Sequence, residues 1–107
     1  MELSAAQEHR VRILLVVQTA LLGEIRPSVR KVGVGWSDKR ISVKMFNEGE
    51  PDEDTVESAS CVETELMASF PDHEVEVCAV RFDPPKPIHN VEGIREWVYS
   101  RWEPFDE

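Results

Sequence analysis

The chain has 107 residues, enough for one modest hydrophobic core and too few for two. Its 41% hydrophobic and 31% charged content is that of a folded domain rather than a disordered tail. A formal net charge of −9 disfavours nucleic acid and anionic membrane as direct partners, because both repel an anionic surface, and favours a basic protein.

The N-terminus, Met1-Glu-Leu-Ser, is acidic and lacks the basic start of a secretory signal, which points to a cytoplasmic protein. The apolar run that follows is interrupted at Gln18 and Thr19 and is too short for a membrane span. Ser4 with Gln7 forms a capping box, so the spacing predicts a helix from about Ala5. Val11, Leu14, Leu15, Gln18, Leu21, Leu22 and Ile25 recur at helical intervals, and Ile13, Val17 and Ala20 widen the apolar face. A helix this apolar is expected to be covered by the rest of the domain. Gly23 supplies a C-terminal cap, and Pro27 blocks continuation.

Residues 30–36 switch to a period of two. Val32, Val34 and Trp36 point one way, and Lys31, Gly33 and Gly35 the other. Ser37-Asp38-Lys39 makes a turn, and residues 40–47 form a second strand with Ile41, Val43 and Met45 inward. The outward face of this hairpin holds Lys31, Arg40, Ser42, Lys44 and Phe46. The glycine pair is not a phosphate loop, because no Gly-Lys-Ser/Thr follows it.

A second helix is predicted from Pro51 to about Ser69, with Asp52, Glu53 and Asp54 at the positive end of its dipole. Val56, Ala59, Val62, Leu66 and Phe70 form its expected buried side. Another side carries Glu50, Asp54, Glu57, Cys61 and Glu65, with no Lys or Arg three or four residues away to neutralise them. Residues 45–80 hold 11 acidic residues and no Lys or Arg, so this one segment accounts for the charge of the whole chain.

Residues 73–82 read as a third strand with Val75 and Val77 inward and Glu74, Glu76 and Cys78 outward. The apolar set then shifts to Val80 and Phe82, which predicts a bulge near residues 78–79. Pro84, Pro85 and Pro87 make residues 83–93 a stiff connector. Residues 96–102 suit either element, and their aromatic and β-branched content favours a fourth strand. Residues 103–107 are expected to be a frayed tail. The order α-β-β-α-β-β predicts a single α+β domain over residues 1–107, with two helices on one face of a mostly antiparallel sheet of about four strands. The other face would be open. It would present Lys44, Phe46, Glu74 and Glu76 with either Trp97 and Tyr99 or Val98 and Trp102, as a partner or dimer surface.

No catalytic constellation emerges. His9, His73 and His89 have no metal-ligand spacing with one another or with a cysteine. Cys61 has acidic neighbours that oppose thiolate formation. Cys61 and Cys78 lack a Cys-x-x-Cys spacing and read as reduced, partly buried thiols. Asp52-Glu53-Asp54 lacks the calcium-loop pattern. The expectation is a non-enzymatic binding protein without cofactor or metal, favoured as a monomer. Its anchors would be Glu50, Asp54, Glu57 and Glu65, with Glu74 and Glu76 as a second patch. Carboxylates so placed can occupy a basic nuclease cleft where phosphates would lie.

The segment Glu57-Ser58-x-x-Cys61-Val62-x-Thr64-Glu65-x-Met67-Ala68-Ser69-Phe70-Pro71-Asp72-His73, followed by Val80-Arg81-x-Asp83-x-Pro85-x-Pro87, resembles small bacterial immunity proteins encoded beside secreted toxins. These belong to contact-dependent inhibition and related polymorphic toxin systems. The resemblance implies a cytoplasmic protein that binds and neutralises one cognate toxin domain, and it carries no binding residues over. Two other readings fit the composition: a secretion chaperone that holds an effector segment in an apolar groove, and a nucleic-acid mimic that inhibits a DNA-binding protein.

Overall fold

The computed structural model describes residues 2–104. Its elements run α1 (Ala5–Leu21), β1 (Val29–Ser37), β2 (Arg40–Asn47), α2 (Glu53–Ser69), β3 (Glu74–Arg81) and β4 (Glu96–Ser100), the predicted α+β order. The sheet has the strand order β3-β2-β1-β4. β1 pairs antiparallel with β2 and with β4, whereas β2 and β3 are parallel because α2 carries the chain back along the sheet between them. The capping box closes as expected: Gln7 N donates to Ser4 Oγ at 3.2 Å and Ser4 N to Gln7 Oε1 at 2.8 Å.

Both helices cover one sheet face. Ile13 and Val17 of α1, Val62 and Leu66 of α2, and Val32, Val34, Ile41, Val43 and Met45 of the hairpin belong to one buried cluster. Full burial of each such side chain contributes about 1.5–3 kcal/mol. The inward faces are narrower than the sequence reading: Ala59, Val62, Leu66 and Phe70 are buried as expected, while other expected positions are exposed. α1 buries Ile13, Val17, Ala20 and Leu21, and leaves Val11, Leu15 and Leu22 at 39%, 59% and 77% exposure. Its apolar residues lie on two sides, so period alone could not select between them. In α2 the small polar residues Thr55 and Ser58 are buried, and Val56 is 54% exposed. Arg26, from the turn after α1, donates to Ser58 Oγ at 2.9 Å and makes the burial of Ser58 tolerable, whereas the Thr55 hydroxyl has no hydrogen-bond partner among the described residues.

The expected bulge in β3 is absent. Its register against β2 is unbroken from Glu74 to Arg81. The irregularities lie around β1 instead, between Val29 and Lys31 against β2, and between Val32 and Gly33 against β4. In the second, Gly33 pairs with Trp97 and Val32 with Tyr99, so Val98 is the extra residue. This places Trp97 on the face away from the helices and Tyr99 toward the core.

That far face is not open along its whole width. The connector after β3 crosses the β1–β4 half. A Cβ on Gly33 would lie 2.7 Å from Ile94 Cγ2, and a Cβ on Gly35 would collide with the Gly93 carbonyl. The glycines thus admit a crossing chain. Phe46, 4% exposed, meets the Phe82 and Trp97 rings at centroid distances of 6.0 and 5.8 Å. Lys31 Nζ donates to the Ile88 carbonyl at 2.8 Å and lies 4.5 Å from the Trp97 ring centroid. Only the β2–β3 half, with Ser42, Lys44, Glu74, Glu76, Cys78 and Val80, is left uncovered by the connector.

Glu103 does not begin a frayed tail. It is 6% exposed, and its carboxylate accepts from Arg30 Nε at 2.7 Å and Nη2 at 2.9 Å. Arg30, 1% exposed, also donates to the carbonyls of Phe82 at 2.7 Å and Lys86 at 3.0 Å. The rest of the expected tail, residues 105–107, lies outside the described residues.

Removing one partner of a buried ion pair strands the other charge. Glu103→Ala is therefore expected to lower stability by about 3–5 kcal/mol in urea unfolding. The Arg30 guanidinium holds the Glu103 carboxyl below its ordinary 4.5 against the opposing effect of burial. Its contribution is thus complete above pH 4.5 and is lost as pH falls through the lowered value. Glu103→Gln should flatten that acid limb in unfolding curves taken across the pH range. Gly35→Ala, which must displace a backbone carbonyl, is expected to cost about 1–3 kcal/mol in the same assay.

Candidate partner-binding surface

The antiparallel pair α1 and α2 places the end of α1 beside the first half of α2. A surface groove of about 290 Å³ separates them there, lined by Leu22 and Glu24 on one side and Glu57, Cys61, Thr64 and Glu65 on the other. Gly23, at φ +79°, turns the chain so that Glu24 reaches this lip. Glu24 was invisible to helical spacing, because it lies outside both helices and joins the acidic face only through packing.

α2 begins at Glu53, later than expected. Asp52 is its N-cap, and its carboxylate accepts from Thr55 N at 2.8 Å. That amide holds the Asp52 carboxyl below its ordinary range, with a smaller contribution from the nearby Arg26 charge. Glu50 consequently precedes the cap and is not on the helix. Its carboxylate is 3.6 Å from Arg81, a guanidinium held more closely by Asp83 at 2.9 Å. The helical stripe is therefore Asp54, Glu57, Cys61 and Glu65.

The six predicted carboxylates do not converge on one site. Asp54, Glu57 and Glu65 share the exposed side of α2, and Glu50 lies in the turn before it. Glu74 and Glu76 stand on the opposite face of the molecule, on β3, where Glu74 is 3.3 Å from Arg40. Asp54, Glu57, Glu65 and Glu76 form no ion pair among the described residues. Two neighbouring arginines are ion-paired elsewhere, Arg30 with Glu103 and Arg101 with Glu48 and Glu103 at 2.9 and 2.8 Å, while Arg26 donates to the neutral Ser58 hydroxyl.

A second polar cluster lies at the other end of the helices. His9 and His73, distant in sequence, approach through their Nε2 atoms at 2.9 Å. His73 Nδ1 meets Asp72 at 2.8 Å, and Asp72 accepts from Lys39 Nζ at 2.8 Å. These hydrogen bonds hold the Asp72 carboxyl well below its ordinary 3.8. The relay fastens α1 to the turn before β3 and contains no nucleophile. Among the described residues, no group of three or more His, Cys, Asp and Glu side chains is placed to hold a metal ion. No described helix is long and apolar enough to cross a membrane.

A family model described as MafI2 immunity protein matches residues 10–103. The chain belongs to the MafI2 immunity protein family. Membership agrees with the resemblance to bacterial immunity proteins of polymorphic toxin systems and makes toxin neutralisation the functional class. The span matched to the MafI2 family starts within α1 and ends at Glu103, so it includes both members of the buried ion pair and the acidic groove. A search of curated proteins finds no match to the chain.

Cys61 and Cys78 are free thiols, and Cys61 is exposed rather than partly buried as expected. Desolvation in the groove, then the charges of Glu24 and Glu57, push the Cys61 thiol above its ordinary 9.0. Cys61 should accordingly be alkylated by iodoacetamide at pH 7.4 more slowly than a cysteine in a flexible peptide. Glu24→Gln with Glu57→Gln should speed the reaction, as read by mass spectrometry.

Proposed function

We propose that this member of the MafI2 immunity family neutralises one cognate toxin domain by presenting the carboxylates of Asp54, Glu57 and Glu65, with Glu24 and Glu50 beside them, to a basic cleft. The observation that carries the reading is electrostatic. Among the described residues, the exposed side of α2 keeps three carboxylates without an ion pair, while Arg30 and Arg101 are paired with other carboxylates and Arg26 bonds the Ser58 hydroxyl. Unpaired like charges on a helix destabilise it slightly, so a partner that neutralises them gains what the isolated protein lacks. A nuclease is the toxin class whose cleft is built to hold phosphates, and carboxylates can substitute for phosphates against Arg and Lys. The protein contributes binding rather than catalysis and acts in the cytoplasm, where it shields the cell that makes it. Glu74 and Glu76 face away from α2, and a compact cleft engaging α2 does not require them.

Replacing Asp54, Glu57 and Glu65 together with Lys should abolish protection when the protein is co-expressed with its toxin. The neutral Asn/Gln triple variant should slow association by about tenfold or more at low salt and remove most of the salt dependence of binding. Full protection by a folded charge-reversed variant would eliminate α2 as the contact.

A further inference from the structure

α1 leaves an apolar ridge uncovered. Val11, Leu15 and Leu22 recur on the side opposite its buried face, with exposures of 39%, 59% and 77%. Single exposed apolar residues are ordinary on any surface. Val11 and Leu15 stand one turn apart on α1, and Leu22, the residue that caps the helix, extends that side beyond the exposed Gln18 and Thr19. Leu22 also lines the groove with Glu24, Glu57 and Glu65, so ridge and acidic lip make one surface.

We propose that this ridge is the affinity-determining contact: Val11, Leu15 and Leu22 seat in an apolar groove of the cognate toxin domain, whose Lys and Arg rim meets Glu24, Glu57 and Glu65. The proposal rests on the toxin-neutralising reading and divides its labour. Unpaired carboxylates steer the encounter and act on the association rate. Buried apolar side chains hold the complex and act on dissociation.

Charge complementarity selects the occupant. The cations of α1 are tied down: Arg10 is 2.6 Å from Glu96, and Arg12 donates to the Ser69 carbonyl at 2.6 Å while lying 4.4 Å from the Phe70 ring centroid. The charge beside the ridge is predominantly negative: Glu24, Glu57 and Glu65 face one arginine, Arg26, which donates to the neutral Ser58 hydroxyl. A second copy of the chain would bring the same acidic Glu24, Glu57 and Glu65 rim to the contact, like charge against like, and an anionic lipid surface would be repelled. A basic-rimmed apolar groove satisfies both halves of the surface, in the manner of a helix laid into a groove.

The test uses the C-terminal domain of the toxin encoded beside this protein, inactivated and immobilised, with binding followed in real time at several salt concentrations. Leu15→Ser with Leu22→Ser changes two exposed side chains and should leave the thermal melt unchanged. Dissociation is expected to accelerate by about 100-fold, with the association rate and its salt dependence preserved. Dissociation unchanged in a folded double variant, with wild-type binding intact, overturns the ridge and spares the toxin reading. Failure of the wild-type chain to bind that domain at any salt overturns the toxin reading and this proposal with it. A wild-type dimer in light scattering that the double variant loses would assign the ridge to self-association and also overturn the proposal.

Discussion

The buried pair of Arg30 and Glu103 is the constraint on which the rest of the molecule depends. Two charges removed from water cost several kcal/mol each, and they are tolerated only when their hydrogen bonds are satisfied. Here the planar guanidinium meets the carboxylate through two bonds and spends others on the Phe82 and Lys86 carbonyls. One side chain thus ties the first strand to the start of the connector and to the chain beyond the last strand. The bulge at Arg30 matters here, because it inserts a residue where regular pairing with β2 would leave none.

With its start pinned by Arg30, the connector lies across half of the sheet. Gly33 and Gly35 let it approach, Lys31 anchors the Ile88 carbonyl, and Phe46 is enclosed between Phe82 and Trp97. Covering this half changes which surfaces remain for a partner. Of the aromatic side chains that might have formed an open binding face, Phe46 and Trp97 serve instead, with Phe82, as a small second core, whereas Trp102 stays exposed. Exposed apolar side chains are left on α1 at Val11 and Leu15, on α2 at Val56 and Met67, and beyond β4 at Trp102. The same distribution governs charge. Arg81 and Arg101 are ion-paired with carboxylates near them, whereas Asp54, Glu57 and Glu65 on the solvent side of α2 have no ion pair among the described residues. In the proposed complex, apolar side chains would supply adhesion and unneutralised charge would supply selectivity.

Much of the secondary structure was legible in local signals. Ser4 and Gln7 marked the start of α1, and alternation gave the hairpin with its turn at residues 37–39. Phe70-Pro71 ended α2 at Ser69 as expected. The candidate site was legible only in part. Asp54, Glu57 and Glu65 share the exposed side of α2, as their spacing implied. Glu50 was misplaced because helical spacing was extended past Asp52, whose cap begins the helix three residues after Glu50. Glu24 was missed because it reaches the acidic lip through a glycine turn and helix packing, and neither leaves a periodic trace. Most of the inward positions were legible, with Ala59, Val62, Leu66 and Phe70 of α2 buried as expected, but the exposure of Val11, Leu15, Leu22 and Val56 was missed because periodicity marks an apolar side and cannot rank two of them.

The sequence by itself determined the number, type and order of the elements, the concentration of negative charge in residues 45–80, and the resemblance to immunity proteins, because each is carried by residues close together in the chain. Tertiary structure alone decided the pairing of Arg30 with Glu103, the contact of His9 with His73, the crossing of the sheet by the connector, and the exposure of Val11, Leu15 and Leu22. Each of these depends on groups far apart in sequence meeting in a packed interior. There desolvation and hydrogen-bond satisfaction, rather than local propensity, choose the partner.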